Sequence, residues 1–409
     1  MPYIKMPEPR KRVAHFIRKD AQLKASFIRN QIANHVRYNP ILIWRKERPK
    51  RYDGGYARFD TTAYPTLNLS EEEGWREKAL FIGPKVLSAR QVDKILHTLD
   101  KNEVSVCHFH YGSDCGIFSP LLTRLKIPSV VSFYGYDCSS FPGRYLGYGK
   151  VYLQKRVFAD ISAVLAMSED MRNDLIRLGC PKEKIIVHYY GSEVKRFFMV
   201  RPYDRKESIE LLILASLVPQ KGHMTLLKSL VRLIASGVSN FTLRIVGTGE
   251  LENQLKSYVL RNNLSQHVVF TGPIPYASQE MMAEYRRADI FIHPSVEAAN
   301  GDKEGIPGTI VEAMASGLPV VSTYHAGIPY IITDHYTGLL VKEYDIEALS
   351  HSIHRLMTEL NLRKRIGLAG QQYASEYLDI TQKEIDLEKI YDDVITNARK
   401  RRRSVSLQP

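Results

Sequence analysis

Apolar residues along the chain fall into two alternating patterns. Unbroken runs such as Arg12-Val13-Ala14-His15-Phe16-Ile17 and Pro40-Ile41-Leu42-Ile43-Trp44 have the length of buried strands. Between them Leu23, Phe27, Ile28, Ile32 and Val36 recur at helical spacing, behind Asp20 as a suitable N-cap. Strand, helix and strand within about thirty residues make a βαβ unit, and its repetition predicts a parallel sheet covered on both faces. Further strands are expected over 104–109, 127–133, 163–166 and 185–188, and helices over 91–100, 113–125, 149–160 and 169–178. The polar stretch 45–76 is expected to be a flexible loop, of a length uncommon unless functional or mobile.

A second polar segment, 200–208, fits an interdomain linker. Beyond it the rhythm resumes, with strands over 211–215, 242–246, 268–270, 290–293 and 320–321. Helices are expected over 225–235, 250–261, 279–288 and 346–357, followed by a terminal helical segment over 362–397. The pattern predicts an α/β fold of two Rossmann-like domains, 1–199 and 209–370. Their ligand site should lie in the cleft between them, at the carboxyl ends of both sheets.

The stretch from Asp302 to Val321 has the form acidic loop, helix, strand. Pro307 suits a first helical position, and Gly317 a left-handed cap. Glu304 then hangs in the loop before the helix, while Glu312 sits more than one turn inside it. Between them Gly305, Ile306, Pro307, Gly308 and Thr309 lead into a helix start whose free N–H groups attract anions, phosphate above all. Two carboxylates flanking an anion site suit a ligand with both hydroxyls and phosphates, as a nucleotide-sugar has.

Composition is that of a soluble globular protein. No apolar run approaches bilayer length, and Met1-Pro2-Tyr3-Ile4-Lys5 lacks a signal-peptide core, so a cytoplasmic location is expected. Cys107, Cys115, Cys138 and Cys180 show no C-x-x-C spacing and are expected to be free thiols. The net charge of +13 belongs to the two ends. Residues 1–51 carry fourteen Lys/Arg against three Asp/Glu, and Arg399-Lys400-Arg401-Arg402-Arg403 add five more. Such ends are either solvated surface with a disordered tail over 398–409, or attracted to an anionic membrane surface or a pyrophosphate-bearing lipid. No nucleic-acid partner is expected, because no DNA- or RNA-binding motif accompanies the charge.

Four motifs now occur in order: Ala215-Ser216-Leu217-Val218-Pro219-Gln220-Lys221-Gly222, Ile245-Val246-Gly247-Thr248-Gly249-Glu250, His293-Pro294-Ser295, and Glu304 followed eight residues later by Glu312-Ala313-Met314-Ala315. Together they resemble the nucleotide-binding domain of retaining GT-B glycosyltransferases of family 4. The flanks Asn300 to Pro307 and His325-Ala326-Gly327-Ile328-Pro329 are similar to polysaccharide-building members of the colanic-acid and exopolysaccharide type. So are His108-Phe109-His110-Tyr111-Gly112 and Gly135-Tyr136-Asp137 in the first half. The resemblance covers about residues 100–360. It implies a donor bound to the second domain, an acceptor bound to the first, and a last helix (371–397) crossing back onto the first domain. It also implies transfer with retention at the anomeric carbon, without cofactor or essential metal.

By this resemblance Glu304 contacts hydroxyls of the donor sugar and Glu312 the ribose hydroxyls. Both fit the capacity of a carboxylate to accept two hydroxyl bonds. Lys221 is placed to neutralise the departing diphosphate, with Gly222 keeping the backbone open beside it. Gly247 and Gly249 form a strand-to-helix turn that serves the turn itself or the wall beside the base. His108 and His110 share one strand face; His110 is a candidate to bond the donor sugar or the acceptor, and a metal held by the pair has only Asp114 as a nearby third ligand. Asp137 is either a general base for the acceptor hydroxyl or a turn former. Tyr134, Tyr136, Phe141, Tyr145 and Tyr148 are candidates to stack on acceptor sugars.

The sequence departs from the family where Ser216 replaces the usual Arg on the diphosphate, Tyr134 the His before Gly-x-Asp, and Tyr330 the acid after Gly-Ile-Pro. The glycine pair after the first strand is absent. Two functions follow. One is a retaining hexosyltransferase at the inner membrane face, moving sugar from a nucleotide-sugar to a saccharide or lipid-linked acceptor in cell-surface polysaccharide synthesis. The other is a non-catalytic subunit of a polysaccharide assembly complex with the same fold.

Overall fold

The computed structural model describes residues 10–18, 22–23, 26–44, 60–71, 73–144 and 146–406, without the side chains of 401–406. Asp20, Tyr145, the basic residues 1–9 and positions 45–59 of the expected loop lie outside the described residues.

Seven parallel strands form the first sheet: β1 (Lys11–Ile17), β2 (Tyr38–Trp44), β3 (Thr66–Asn68), β4 (Val104–His110), β5 (Ser129–Ser132), β6 (Ala163–Ala166) and β7 (Ile185–Val187). Six form the second: β8 (Ile209–Leu214), β9 (Phe241–Val246), β10 (Val268–Gly272), β11 (Ile290–His293), β12 (Val320–Thr323) and β13 (Leu339–Val341). Their orders are β3-β2-β1-β4-β5-β6-β7 and β10-β9-β8-β11-β12-β13, so each half is doubly wound. The strand order reverses between β1 and β4 in one sheet and between β8 and β11 in the other. Loops part there at the carboxyl ends, which opens a crevice. Central strands such as β11 (IFIH) and β6 (AVLA) are buried throughout, as sheets covered on both faces require.

Several elements differ from expectation. The expected helix over 113–125 is three short pieces, Gly112–Cys115, Gly116–Phe118 and Ser119–Leu122. That over 149–160 is a short α-helix, Tyr148–Leu153, continued as a π-helix, Gln154–Phe158. The described part of the 45–76 loop contains β3 and the start of a helix, Trp75–Ile82. β13, with only three apolar residues, is too short to stand out by periodicity. Pro307 lies one position earlier than expected, as the N-cap of helix Gly308–Ala315.

The expected terminal helix is two helices. Leu360–Tyr377 stays on the second domain, where Gln371 Nε2 donates to the carbonyls of Ala315 at 2.8 Å and Met199 at 2.9 Å. The chain crosses at Leu378-Asp379, eight residues later than the boundary drawn at 371, and Asp379 caps the next helix by accepting the Thr381 N–H. Helix Ile380–Ser406 then lies on the first sheet, packing Leu387, Tyr391, Val394 and Ile395 against Val13, Val106, Val130 and Leu165. It continues through the basic run to Ser406, in place of the disordered tail expected from 398. All four cysteines are free and buried. Among the described residues no helix is long and apolar enough to cross a membrane.

Leu387 is fully buried under this crossing helix. Leu387→Ala is expected to lower the unfolding free energy by about 2–5 kcal/mol in denaturant titration. Lys389→Ala, on the solvent side, should change it by no more than about 0.5 kcal/mol.

Candidate active site

A cavity of about 310 Å3 opens between the two domains at the carboxyl ends of both sheets. The second domain supplies Ser216 and Lys221 after β8, Gly247 and Thr248 after β9, and Pro307, Gly308, Thr309 and Glu312 around the helix after β11. Phe27, Asn30, Tyr190, Gly191 and Ser192 face them from the first domain.

Helix Gly308–Ala315 is short and nearly all apolar, so it is buried, with Gly317 (φ +74°) ending it. Its first N–H groups have no partner within the helix and belong to the cavity wall at Gly308 and Thr309. Glu312 is 4% exposed. Burial raises its carboxyl from the ordinary 4.5 to about 7, although the Tyr285 hydroxyl donates to Oε2 at 2.8 Å. A buried acid partnered by the hydroxyls of Tyr285 and Tyr276 still has lone pairs to offer to the cavity it lines.

Lys221 Nζ lies 2.5 Å from Glu304 Oε1, with both side chains largely buried. The Glu304 loop is held from behind. The Glu304 N–H donates to His325 Nε2 at 3.1 Å, and His325 Nδ1 is 2.6 Å from Glu343 Oε1. His325 Nε2 is therefore the acceptor and Nδ1 carries the proton that Glu343 receives. A cation and an acid thus meet beside a helix start, with a second acid on the following turn.

These features sit in a tandem doubly wound fold that family models also match. A model of glycosyl transferases group 1 matches residues 196–373, and one of a glycosyl transferase 4-like domain matches 53–191. The second half of the chain thus carries a glycosyl transferases group 1 domain and the first half a glycosyl transferase 4-like domain. Among its relatives, the amylovoran biosynthesis glycosyltransferase AmsK of Erwinia amylovora is 34% identical over 258 residues, 62% of this chain and 61% of that one. The putative colanic acid biosynthesis glycosyltransferase WcaL of Escherichia coli K12 is 34% identical over 257 residues, 61% and 60% of the two chains. The chain therefore spans about three fifths of the length of the curated relatives it matches. Anabaena Alr3699/HepE, solved in complex with UDP, shares the fold at a TM-score of 0.73 and 17% identity, over 94% of this chain and all of that one. Sucrose-phosphate synthase from Thermosynechococcus elongatus does so at 0.72 and 18%, over 95% and 100%. The GT-B fold expected from the motifs is the fold observed.

Several residues singled out from the sequence have other surroundings. Asp137 is fully buried. It accepts the N–H groups of Gly112 at 2.8 Å, Tyr134 at 3.0 Å and Gly135 at 3.2 Å, so it ties two loops together as a turn former. Burial raises it to about 6 against these bonds, and both oxygens are engaged by backbone N–H groups, which favours the turn former over the general base. His110 does not line the cavity. Its Nδ1 is 2.7 Å from the Tyr134 hydroxyl and its Nε2 3.0 Å from His15 Nδ1, and burial lowers it to about 3. Tyr134, packed on Phe27, stands where a direct sugar contact by His110 was expected. Asp114 pairs with Arg18 at 3.0 Å and accepts from Gln22 Nε2 at 2.6 Å, and the nitrogens that cluster are those of His15, His108 and His110.

Gly222 and Gly249 lie behind the cavity rather than in it. A Cβ on Gly222 would meet the Pro294 carbonyl oxygen at 1.7 Å, and one on Gly249 the Leu217 oxygen at 2.4 Å. Gly247 lines the cavity and is tight for the same reason, against the Ala215 oxygen at 2.0 Å. Gly305 and the buried Ile306 touch the first domain, where Tyr134 and Tyr190 meet them. Tyr285 and His325 escaped the sequence reading as site residues. Tyr285 was indistinguishable from a core residue of its helix. His325 carried a signal only through its place in a family motif.

Glu312 supplies a pH test. Its folded-state pKa lies above its unfolded value, so its stabilising effect is present below about 4.5 and lost as pH rises through about 7. Glu312→Gln should therefore melt higher than the parent by an amount that grows across that window and levels above it, on the order of 1–3 kcal/mol. A difference that stays flat with pH would show that Glu312 does not titrate there.

Proposed function

We propose that the chain is a retaining glycosyltransferase that takes a sugar from a nucleotide-sugar and adds it to a saccharide or lipid-linked saccharide in cell-surface polysaccharide synthesis. The observation that carries this reading is the convergence of Lys221, the start of helix Gly308–Ala315 and buried Glu312 on one interdomain cavity. The UDP in the HepE complex and the polysaccharide roles in the names of AmsK and WcaL support it.

In this reading the second domain holds the donor. Glu312 accepts the ribose hydroxyls, held for that task by Tyr285. The N–H groups of Gly308 and Thr309 and the ammonium of Lys221 face the diphosphate, and Ser216 adds a neutral hydroxyl bond. Sugar hydroxyls take the place of Lys221 as partners of Glu304. That frees the ammonium for the phosphate oxygens just as their charge grows. The acceptor hydroxyl enters from the first domain on the face the diphosphate leaves. Its oxygen bonds the anomeric carbon, the carbon–phosphate-oxygen bond breaks, and the hydroxyl proton passes to the departing phosphate oxygen. Configuration is retained, and no metal takes part at the reacting carbon. Lys221 and the helix start act by being more attractive to the charged leaving group than to the bound donor.

The basic ends favour attachment to an anionic inner membrane face. Lys11 at the start of β1 and Arg37 before β2 both pair with Asp392 on the crossing helix, at 2.6 and 2.8 Å. The run from Arg399 follows two turns on, so the strand start and the basic helix end lie at one end of the first sheet.

A panel of UDP-, GDP- and ADP-sugars with released nucleotide as the readout identifies the donor, and NMR of the product gives the anomeric configuration. With that donor, Lys221→Ala should lower kcat by about 10²–10³-fold. Glu304→Gln should lower turnover more than donor affinity, and Glu312→Ala should act mainly on affinity. Unchanged turnover in Lys221→Ala and Glu304→Gln overturns the assignment. Donor binding without turnover, acceptor present, favours the scaffold reading that Ser216, Tyr134 and Tyr330 motivate.

A further inference from the structure

Away from the donor cavity, three imidazoles converge in the core of the first domain. His15 lies on β1, His108 and His110 on β4, and His15 pairs with His108 across the strands. All three are at most 1% exposed, and none lines the cavity. One nitrogen of each lies within 4.8 Å of the other two. His15 Nδ1 and His110 Nε2 are 3.0 Å apart, close to the roughly 3.3 Å edge of a tetrahedron with zinc–nitrogen bonds of about 2.0–2.1 Å.

The other nitrogens of these rings are already held. His110 Nδ1 meets the Tyr134 hydroxyl at 2.7 Å, His108 Nδ1 the Tyr391 hydroxyl at 2.6 Å, and His15 Nε2 meets His35 Nε2 at 2.9 Å. Metal-binding histidines are oriented in this way, each ring fixed through its outer nitrogen. Ser132 Oγ, 2.8 Å from His108 Nε2, is the neighbouring oxygen.

A second, independent observation concerns charge. Glu384 on the crossing helix is fully buried, and neither of its oxygens has a hydrogen-bond partner. The imidazole nearest to it is that of His35, with Nδ1 at 3.4 Å, directly behind His15. Burial, and after it the neighbouring Glu388, push the Glu384 carboxyl well above the ordinary range, and a cation one imidazole away would lower the cost of its charged form. Glu388, 3.6 Å from the same nitrogen, also accepts the N–H groups of Val36 and Arg37.

We propose that His15, His108 and His110 bind one divalent first-row transition-metal ion, zinc by preference, which fastens the crossing helix to β1 and β4 through Tyr391 and through His35 to Glu384. Neutral imidazoles in a closed apolar site suit zinc and its neighbours rather than magnesium or calcium. The role is structural, separate from the transfer reaction, and does not depend on the function proposed above.

The test uses the full untagged chain. Elemental analysis after purification without chelators should find about one equivalent of metal. After stripping, Co2+ should restore one equivalent with a visible d–d band and a higher melting temperature. His15→Ala and His110→Asn should lose the band, and Tyr391→Phe should weaken Co2+ binding by about 10–100-fold. Should the histidine variants fail to fold, the parent titration and Tyr391→Phe decide. A stripped chain that stays folded, melts unchanged with Zn2+ or Co2+ and shows no band overturns the proposal. So does a band that persists in His15→Ala. The cluster is then a hydrogen-bonded chain from Tyr134 through His110, His15 and His35 to Glu388.

Discussion

The site depends on how closely two loops of the second domain approach at the carboxyl end of its sheet. Adjacent parallel strands β8 and β11 deliver the loops at 215–222 and 294–307 to the same edge. Gly222, at φ +71°, lies against the Pro294 carbonyl with no room for a Cβ. That contact sets Lys221, its neighbour, opposite Glu304 at the far end of the second loop. Wider spacing would leave the ammonium and the carboxylate in separate solvent, each with a fraction of its present field.

Burial does the electrostatic work from there. Helix Gly308–Ala315 is apolar enough to pass beneath the cavity floor, and Glu312 is carried inside with it. The acid is held near its neutral form by that burial, and a ligand able to donate hydroxyl bonds makes the charged form less costly. Lys221 and Glu304 solve the same problem by pairing. The site is thus preorganised by groups that each lack full solvation, which is where exchange of one partner for another has the largest effect.

Much of this was legible in the sequence, for reasons that can be named. Runs such as 290–293 and 163–166 appear as strands because both faces are covered, and the alternation with helices follows from parallel pairing. Glu312 and the helix start line the cavity as a carboxylate within an apolar helix implies, being costly unless used, and Lys221 reaches the same cavity from the loop after an apolar strand. For Asp137, His110, Gly222 and Gly249, polar or glycine residues in family-like motifs, sequence alone does not tell a group facing the cavity from one bracing the loop behind it. Asp137 braces because three backbone N–H groups reach it first. β13 and the break at Leu378-Asp379 escaped because both are set by tertiary packing, not by local period.

The two domains also touch through bare backbone. A Cβ on Gly135 would meet the Lys303 oxygen at 2.8 Å, and one on Gly305 the Tyr134 oxygen at 2.8 Å. These glycines face each other beside Glu304, on opposite sides of the cleft. The domains therefore bear on one another like the faces of a hinge leaf, with no side chain between them as a shim. The width of the mouth beside Glu304 is fixed by main-chain thickness, so one added methyl group there acts as a wedge on a domain.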